Sequence, residues 1–391
     1  MAESAPVRRN RLTSIDMLRG LVLVIMALDH TRDMVMRPLS TDYGAAVDFA
    51  SSGAALFFTR LVTHLCAPTF VLLAGVSAYL YGATRKRPTI EITRFLLSRG
   101  IWLVFIELTV IQFAWAFNLR TMHILQVIWA IGWSMIVLSA LVWLPRIAIG
   151  AFGVLMIVTH NGLDSLQPLL SEASPLWVFF HIPGRLTIGT WDFLVIYPLI
   201  PWIGVMALGY AMGPYFVGEN PERPHRLLQI GVFLTLAFVV LRLTNLYGDP
   251  VKWVVHPNRV DTLISFLSVT KYPVSLQFLL MTLGPALMLL GYFERVSGGL
   301  AQKLVTIGHV SFFFYVVHFY LIHSSAVLIG LWQGLGVRDM AVFFLYYPAR
   351  FGLSLAGVYV VWGMVILALY PACVWFAGVK ARRRDWWLSY L

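Results

Sequence analysis

The residues able to do chemistry crowd into one stretch near the start of the chain. Asp16, Arg19, Asp29, His30, Arg32 and Asp33 stand among runs of leucine, valine and methionine. An ionisable group at a bilayer centre costs about 2.5–3.5 kcal/mol on insertion scales, so it usually pairs or faces a cavity. Arg19 and His30 are eleven positions apart. At about 100° per residue that returns to one helical face, ~16 Å further along the axis. Such a pair could hold an anion at one end of a passage and move protons at the other. The plain alternative is that Arg19 snorkels to lipid phosphates and His30 is a polar residue at an interface. Asp33 follows His30 by three positions, where a carboxylate can bond one imidazole nitrogen and leave the other as a base. Asp29 points elsewhere but can pair with Arg32 at i+3. The cluster could equally be a structural ion network at a helix end.

Arg60 and His64 stand at i, i+4 ahead of Pro68, which removes a backbone hydrogen bond and predicts a kink. His64 can line the same cavity as His30, or sit in the core bonded to a carbonyl. Glu107 lies deep in an apolar run, and an Arg or His is its expected partner. Arg94 and Arg99 lie nearer the start of that run. Lys271 belongs to a polar segment that also holds Asp249 and His256. His309 and His318 fall on opposite helical faces, and His318 and His323 are about 140° apart, so no metal cluster is expected from one face. His318, in Phe314-Tyr315-Val316-Val317-His318, is deep enough to be a cavity residue. Cys66 and Cys373 stand far apart without a CxxC pattern and read as free buried thiols.

Positioning these groups takes helices in lipid. Of 391 residues, 59% are hydrophobic and 12% charged, with mean hydropathy +0.78. A soluble domain carries about 25% charged residues, so too little polar surface remains to coat a water-facing globule. Apolar runs such as Leu18–Leu28, Ile124–Leu144 and Leu353–Leu369 are solid blocks. They suit spanning helices of about 20 residues better than the alternating strands of a barrel. Expected spans are 17–36, 53–81, 91–117, 122–144, 146–160, 191–213, 227–246, 274–293, 303–329 and 341–377. The fold class is therefore all-α, a polytopic membrane protein of about ten transmembrane helices, read as a single domain over 1–391. The net charge of +11 would suggest nucleic acid for a soluble protein. Here the basic residues cluster at span ends: Arg8, Arg9 and Arg11; Arg85, Lys86 and Arg87; Arg223 and Arg226; Lys380 and Arg382 to Arg384. They read as topology signals, and no nucleic acid partner is expected. Ten crossings place all four clusters, and the basic tails 1–14 and 378–391, in the cytoplasm. The first helix is expected to serve as an uncleaved anchor, in a bacterial inner membrane. Residues 161–190 and 247–273 become outer loops. The stretch 263–269 is too short to span and reads as interfacial or re-entrant.

In this setting Arg11-Leu12-Thr13-Ser14-Ile15-Asp16-Met17-Leu18-Arg19-Gly20, running on to Met26-Ala27-Leu28-Asp29-His30, resembles a known opening. It is that of heparan-α-glucosaminide N-acetyltransferase-like membrane proteins, part of a wider superfamily of transmembrane acyltransferases. Arg19 and His30 match the Arg-x10-His signature. Pro68–Gly75, Pro201–Tyr210, Thr270–Leu276 and Phe314–His318 resemble later blocks, in order. The resemblance implies that an acyl group, acetyl first of all, passes from cytoplasmic acyl-CoA to an outer hydroxyl or amine. The acceptor would be a glycan or small molecule. Arg19 would help hold the CoA end, and His30 would be the catalytic histidine. The lysosomal heparan enzymes carry another polar residue at the His30 position and an added luminal domain. The likeness is therefore closer to the bacterial branch, which argues against heparan as the acceptor.

On that chemistry Arg94 and Arg99 join Arg19 as candidates for the CoA phosphates. Asp33 would orient His30, with Asp29 beside it. Lys271 can hold an anionic acceptor or stabilise developing charge, and His64 and His318 are expected around the same cavity. His30 acts as a base or as a covalent acyl carrier. The rival expectation is a proton-coupled transporter or exporter, which buries ionisable groups for another purpose. Such proteins often carry inverted repeats, and the sequence shows no convincing one. Expected partners are the bilayer, acyl-CoA and the acceptor, with a homodimer left open.

Overall fold

A computed structural model describes residues 13–37, 53–119, 122–166, 174–383 and 385–389. Arg8, Arg9, Arg11, Glu172 and Arg384 lie outside them. Backbone groups in an apolar solvent must bond within their own segment, and the apolar runs accordingly fold as helices. In chain order these are α1 (Thr13–Val35), α2 (Ala54–Thr63), α3 (Cys66–Ala83), α4 (Thr89–Ile106) and α5 (Gln112–Ala116). Then come α6 (Val127–Leu141), α7 (Arg146–Thr159), α8 (Pro175–Phe180), α9 (Leu199–Met212), α10 (Arg223–Thr244) and α11 (Arg259–Leu267). The last are α12 (Leu276–Phe293), α13 (Gly299–His309), α14 (Ser311–Trp332), α15 (Val337–Met340) and α16 (Leu355–Arg382). Among the described residues, eight helical stretches are long and apolar enough to cross a membrane: 54–83, 89–116, 146–166, 199–216, 223–244, 276–293, 311–332 and 355–382. α6 is apolar but has only 15 residues, and α1 has 23 but is rich in charge.

Three expected spans have an internal break. α2 and α3 are divided at His64 and Leu65. Pro68 has no N–H to give the His64 carbonyl, so the helix breaks one turn ahead of it. Between α4 and α5 the segment Glu107–Ile111 winds as a π-helix, a feature frequent at functional positions. α13 and α14 are separated at Val310. Three expected boundaries move. The spans predicted from 122 and 191 begin as strands, and their helices start only at Val127 and at Leu199, after Pro198. The last helix starts at Leu355 rather than 341.

The helices are joined at two ends. At one, Ser14 and Arg223 both bond Glu294, the latter at 2.7 Å, and Arg146 donates to the Ala211 carbonyl (3.2 Å). Arg85, Arg226 and Arg382 belong to the same side, which we call the basic end. The other end carries a three-stranded sheet that all-α patterning does not foresee. β1 (His123–Leu125) runs parallel to β3 (Trp191–Val195), which pairs antiparallel with β2 (Gly184–Ile188). Gly189 (φ +62) makes the tight β2–β3 turn. Gln112 locks β1 to α5, donating to the Met122 carbonyl (2.9 Å) and accepting from the Ile124 N–H (3.1 Å).

α1 is the hub, packed by α3, α12, α13, α14 and α16. Its Leu18, Val22, Leu23, Ala27 and Met34 are buried. Enclosure by protein instead of lipid is what lets this helix carry so many ionisable groups. Near its start it crosses α13 almost backbone to backbone. A Cβ at Gly20 would stand 2.0 Å from the Leu304 carbonyl oxygen, and one at Gly308 only 1.8 Å from that of Asp16.

The loop from α10 to α12 is held by a buried cation. Arg242 donates to the carbonyls of Val251 (2.8 Å), Ser265 (3.0 Å), Phe266 (2.8 Å) and Ser268 (2.6 Å). Asp249 accepts from the Thr270 N–H (2.8 Å) and from the Ser275 hydroxyl (2.7 Å), at the N-cap of α12. The predicted short piece in this loop is α11.

Candidate active site

α1, α5 and α14 meet around His30 near the sheet end. His30 Nδ1 lies 2.8 Å from His318 Nε2. His318 Nδ1 lies 3.1 Å from the Phe314 carbonyl oxygen. That oxygen can only accept, so His318 Nδ1 carries the hydrogen. Its Nε2 is then the acceptor for His30 Nδ1–H, and a neutral His30 keeps its Nε2 lone pair. The His30 ring stacks on Phe319 (4.3 Å) and meets Trp115 edge-on (5.5 Å). His30 retains 9% of its surface and His318 none, so His30 is the less enclosed member of the pair.

The neighbouring carboxylates belong to a different network. Arg32 bridges Asp29 (2.7 Å) and Asp33 (2.5 Å). The expected Asp29–Arg32 pair is thus present, whereas the expected Asp33–His30 bond is not. A guanidinium offers Asp33 a charge-assisted bond that a neutral imidazole cannot match, and His30 takes its partner from α14 instead. Asp29 also accepts from Thr63 (2.9 Å) and faces the Lys271 ammonium at 3.6 Å. The loop anchored by Arg242 and Asp249 carries Lys271 to this point. Burial works against the Lys271 charge, but the neighbouring Tyr272 and Asp29 more than offset it and hold its pKa above the usual lysine value. Arg60 lies within electrostatic reach of Asp29 and Asp33. His64 sits against Phe278 (5.2 Å), and its buried Nδ1 has no hydrogen-bond partner among the described residues.

The other expected residues lie apart from this cluster. Arg19 is directed to α3, where it bonds the Leu73 carbonyl (3.3 Å) and the Ser77 hydroxyl, and it reaches Asp16 at 3.4 Å. Helical arithmetic puts Arg19 and His30 on one face, yet their side chains go to different neighbours. Arg94 is exposed on α4, and the Arg99 guanidinium lies over the Phe95 ring at 5.5 Å. Glu107 has neither an Arg nor a His as the partner expected for it. Its Oε1 accepts the Gln126 N–H (3.0 Å) at the N-terminus of α6, whose dipole favours an anion. Sequence reasoning missed Trp115, Phe319 and Arg242. A stacking ring or a cation bonded to carbonyls leaves no local pattern to find.

The family model described as heparan-alpha-glucosaminide N-acetyltransferase, catalytic, matches residues 11–244. That stretch contains Arg19, Asp29, His30, Asp33, His64 and Trp115. His318 and Lys271, which complete the geometry around His30, come from beyond it. No curated protein matches the chain.

Proposed function

The chain belongs to the heparan-alpha-glucosaminide N-acetyltransferase family, and on that premise we propose that it moves an acetyl group from cytoplasmic acetyl-CoA to an acceptor on the far side of a membrane. The acceptor is a hydroxyl or amine of a glycan or small molecule. The single observation that carries this reading is the His30–His318 pair, which leaves a neutral His30 with a lone pair on Nε2.

Two routes use that lone pair. In the direct one, Nε2 takes the proton of the acceptor as its oxygen or nitrogen attacks the thioester carbonyl. The C–S bond breaks, and the thiolate of CoA leaves and is reprotonated. In the stepwise one, Nε2 itself attacks, CoA leaves, and the acyl group passes from His30 to the acceptor. In both, a positive charge forms on His30 during the reaction, and the carboxylates of Asp29 and Asp33 lie one and three residues away to favour it. The basic end supplies the side for CoA. Arg19, Arg94 and Arg99 sit on α1 and α4, which both start there, and guanidinium groups suit phosphates. Lys271 and His64 stand on the acceptor side, where an ammonium can hold an anionic group or steady an oxyanion. Acyl-CoA is a co-substrate in this scheme, the bilayer is the setting, and a bacterial inner membrane fits the arginine placement.

The test is to incubate purified protein in liposomes with radiolabelled acetyl-CoA and a glycan extract. Label should reach an acceptor or the protein, and His30→Ala should abolish it. Wild-type transfer by His30→Ala, or solute uptake that needs no CoA, would overturn the reading.

A further inference from the structure

Glu107 has no role in the scheme above, yet it is among the most completely buried charged groups of the chain. Only 1% of its surface is exposed, and among the described residues its Oε2 has no hydrogen-bond partner. The Tyr315 hydroxyl, on a side chain 4% exposed, has none either. The two lie within electrostatic reach of each other, because the π-helix bearing Glu107 packs on α14. A buried polar atom left unpaired costs about 1–3 kcal/mol, and native structures seldom tolerate several together without a ligand or water. An acceptor and a donor left open side by side ask for a molecule with both kinds of group.

Their depth indicates which molecule. Glu107 precedes Trp115 by eight positions, ~12 Å nearer the basic end along the helix. Tyr315 precedes His318 by three positions, ~4.5 Å in the same direction. Both therefore lie at depths between the basic end and His30. We propose that Glu107 and Tyr315 form an amide-recognition point for the pantetheine arm of the acyl donor. Glu107 Oε2 accepts an amide N–H of the arm, and the Tyr315 hydroxyl donates to an amide carbonyl. The π-helix turns Glu107 inward, and the N-terminus of α6 holds its other oxygen. This inference rests on CoA being the donor.

The experiment measures binding by calorimetry on the purified full-length protein, without any acceptor. The ligands are CoA and adenosine 3′-phosphate 5′-diphosphate, which has the same nucleotide but no arm. Glu107→Gln, which turns the acceptor atom into a donor, and Tyr315→Phe, which removes one oxygen, should each weaken CoA binding about tenfold. Neither should change binding of the truncated nucleotide. If Glu107→Gln does not fold, Tyr315→Phe decides alone. Unchanged CoA affinity would mean that water fills the point and would overturn the proposal. Equal weakening of both ligands would overturn it as well. If the wild type binds neither ligand, the donor assignment itself fails, a result separable from the others.

Discussion

His318 sets the state of His30 through one hydrogen bond and needs no contact with substrate to matter. His318→Phe removes the acceptor for His30 Nδ1–H, so the proton can move to Nε2 and occupy the lone pair. The expected result is a fall in kcat of about 10²-fold, at the low end for a positioned base, with little change in KM for acetyl-CoA. His318→Gln, whose amide oxygen can take the same hydrogen, should recover part of the rate, and steady-state kinetics on the three proteins would decide. Lys271 makes a different kind of claim. Lys271→Met leaves Asp29 bonded to Arg32 and Thr63, so the network survives. If the ammonium binds an anionic acceptor, KM for the acceptor should rise about tenfold, the scale of one charged hydrogen bond, while kcat holds. Local geometry made part of this site legible. The Asp29–Arg32 pair follows from i+3 spacing alone. The Asp33–His30 pair obeys the same rule and lost to a better competitor next door. The His30–His318 bond joins residues 288 positions apart, and no spacing rule reaches that far.

Between elements, the α1–α13 crossing and the α10–α12 loop decide whether His30 and Lys271 are where they must be. Gly20 and Gly308 leave no room for a side chain, since the atoms a Cβ would strike are backbone and cannot rotate away. Gly308→Val should lower the thermal stability of the detergent-solubilised protein by several degrees and reduce acetyl transfer with it, as a 1–3 kcal/mol overpacking cost would do. A melting temperature equal to wild type would show that the crossing relaxes at no cost. Arg242→Ala is the severer change. It strips donors from the carbonyls of Val251, Ser265, Phe266 and Ser268 and leaves Asp249 without the cation 3.8 Å away. Breaking one side of a buried ion pair costs about 3–5 kcal/mol. Protease cleavage within 247–273, absent from wild type, is the expected sign that the loop has come loose. The kink before Pro68 was legible because proline acts through its own missing N–H. The Arg242 anchor was not, because its partners are backbone carbonyls that every sequence carries.

At the scale of the molecule, lipid imposes the helices, and that is why hydropathy could be read so directly. The sheet was hidden because His123 pairs with Phe193 across the chain, and β1 and β3 are short enough to read as the starts of the apolar spans 122–144 and 191–213. The two ends differ in character: the basic clusters of Arg85 to Arg87, Arg223 with Arg226, and Lys380 with Arg382 stand at one, the sheet and Lys271 at the other. Positive residues favour the cytoplasmic side, so on the proposed function a cytoplasmic donor enters from the basic end and the acceptor approaches from the side of Lys271. The orientation can be read with single cysteines, because Cys66 and Cys373 are buried. Thr190→Cys lies exposed at the β2–β3 turn, and Thr84→Cys lies exposed beside Arg85 without disturbing its charge. A membrane-impermeant maleimide applied to intact cells should label Thr190→Cys and spare Thr84→Cys until the membrane is opened. The reverse pattern would put the arginines outside, away from cytoplasmic CoA. Transfer across the bilayer would then have to run from the sheet end, and the path past Glu107 and Tyr315 would belong to the acceptor instead of the donor.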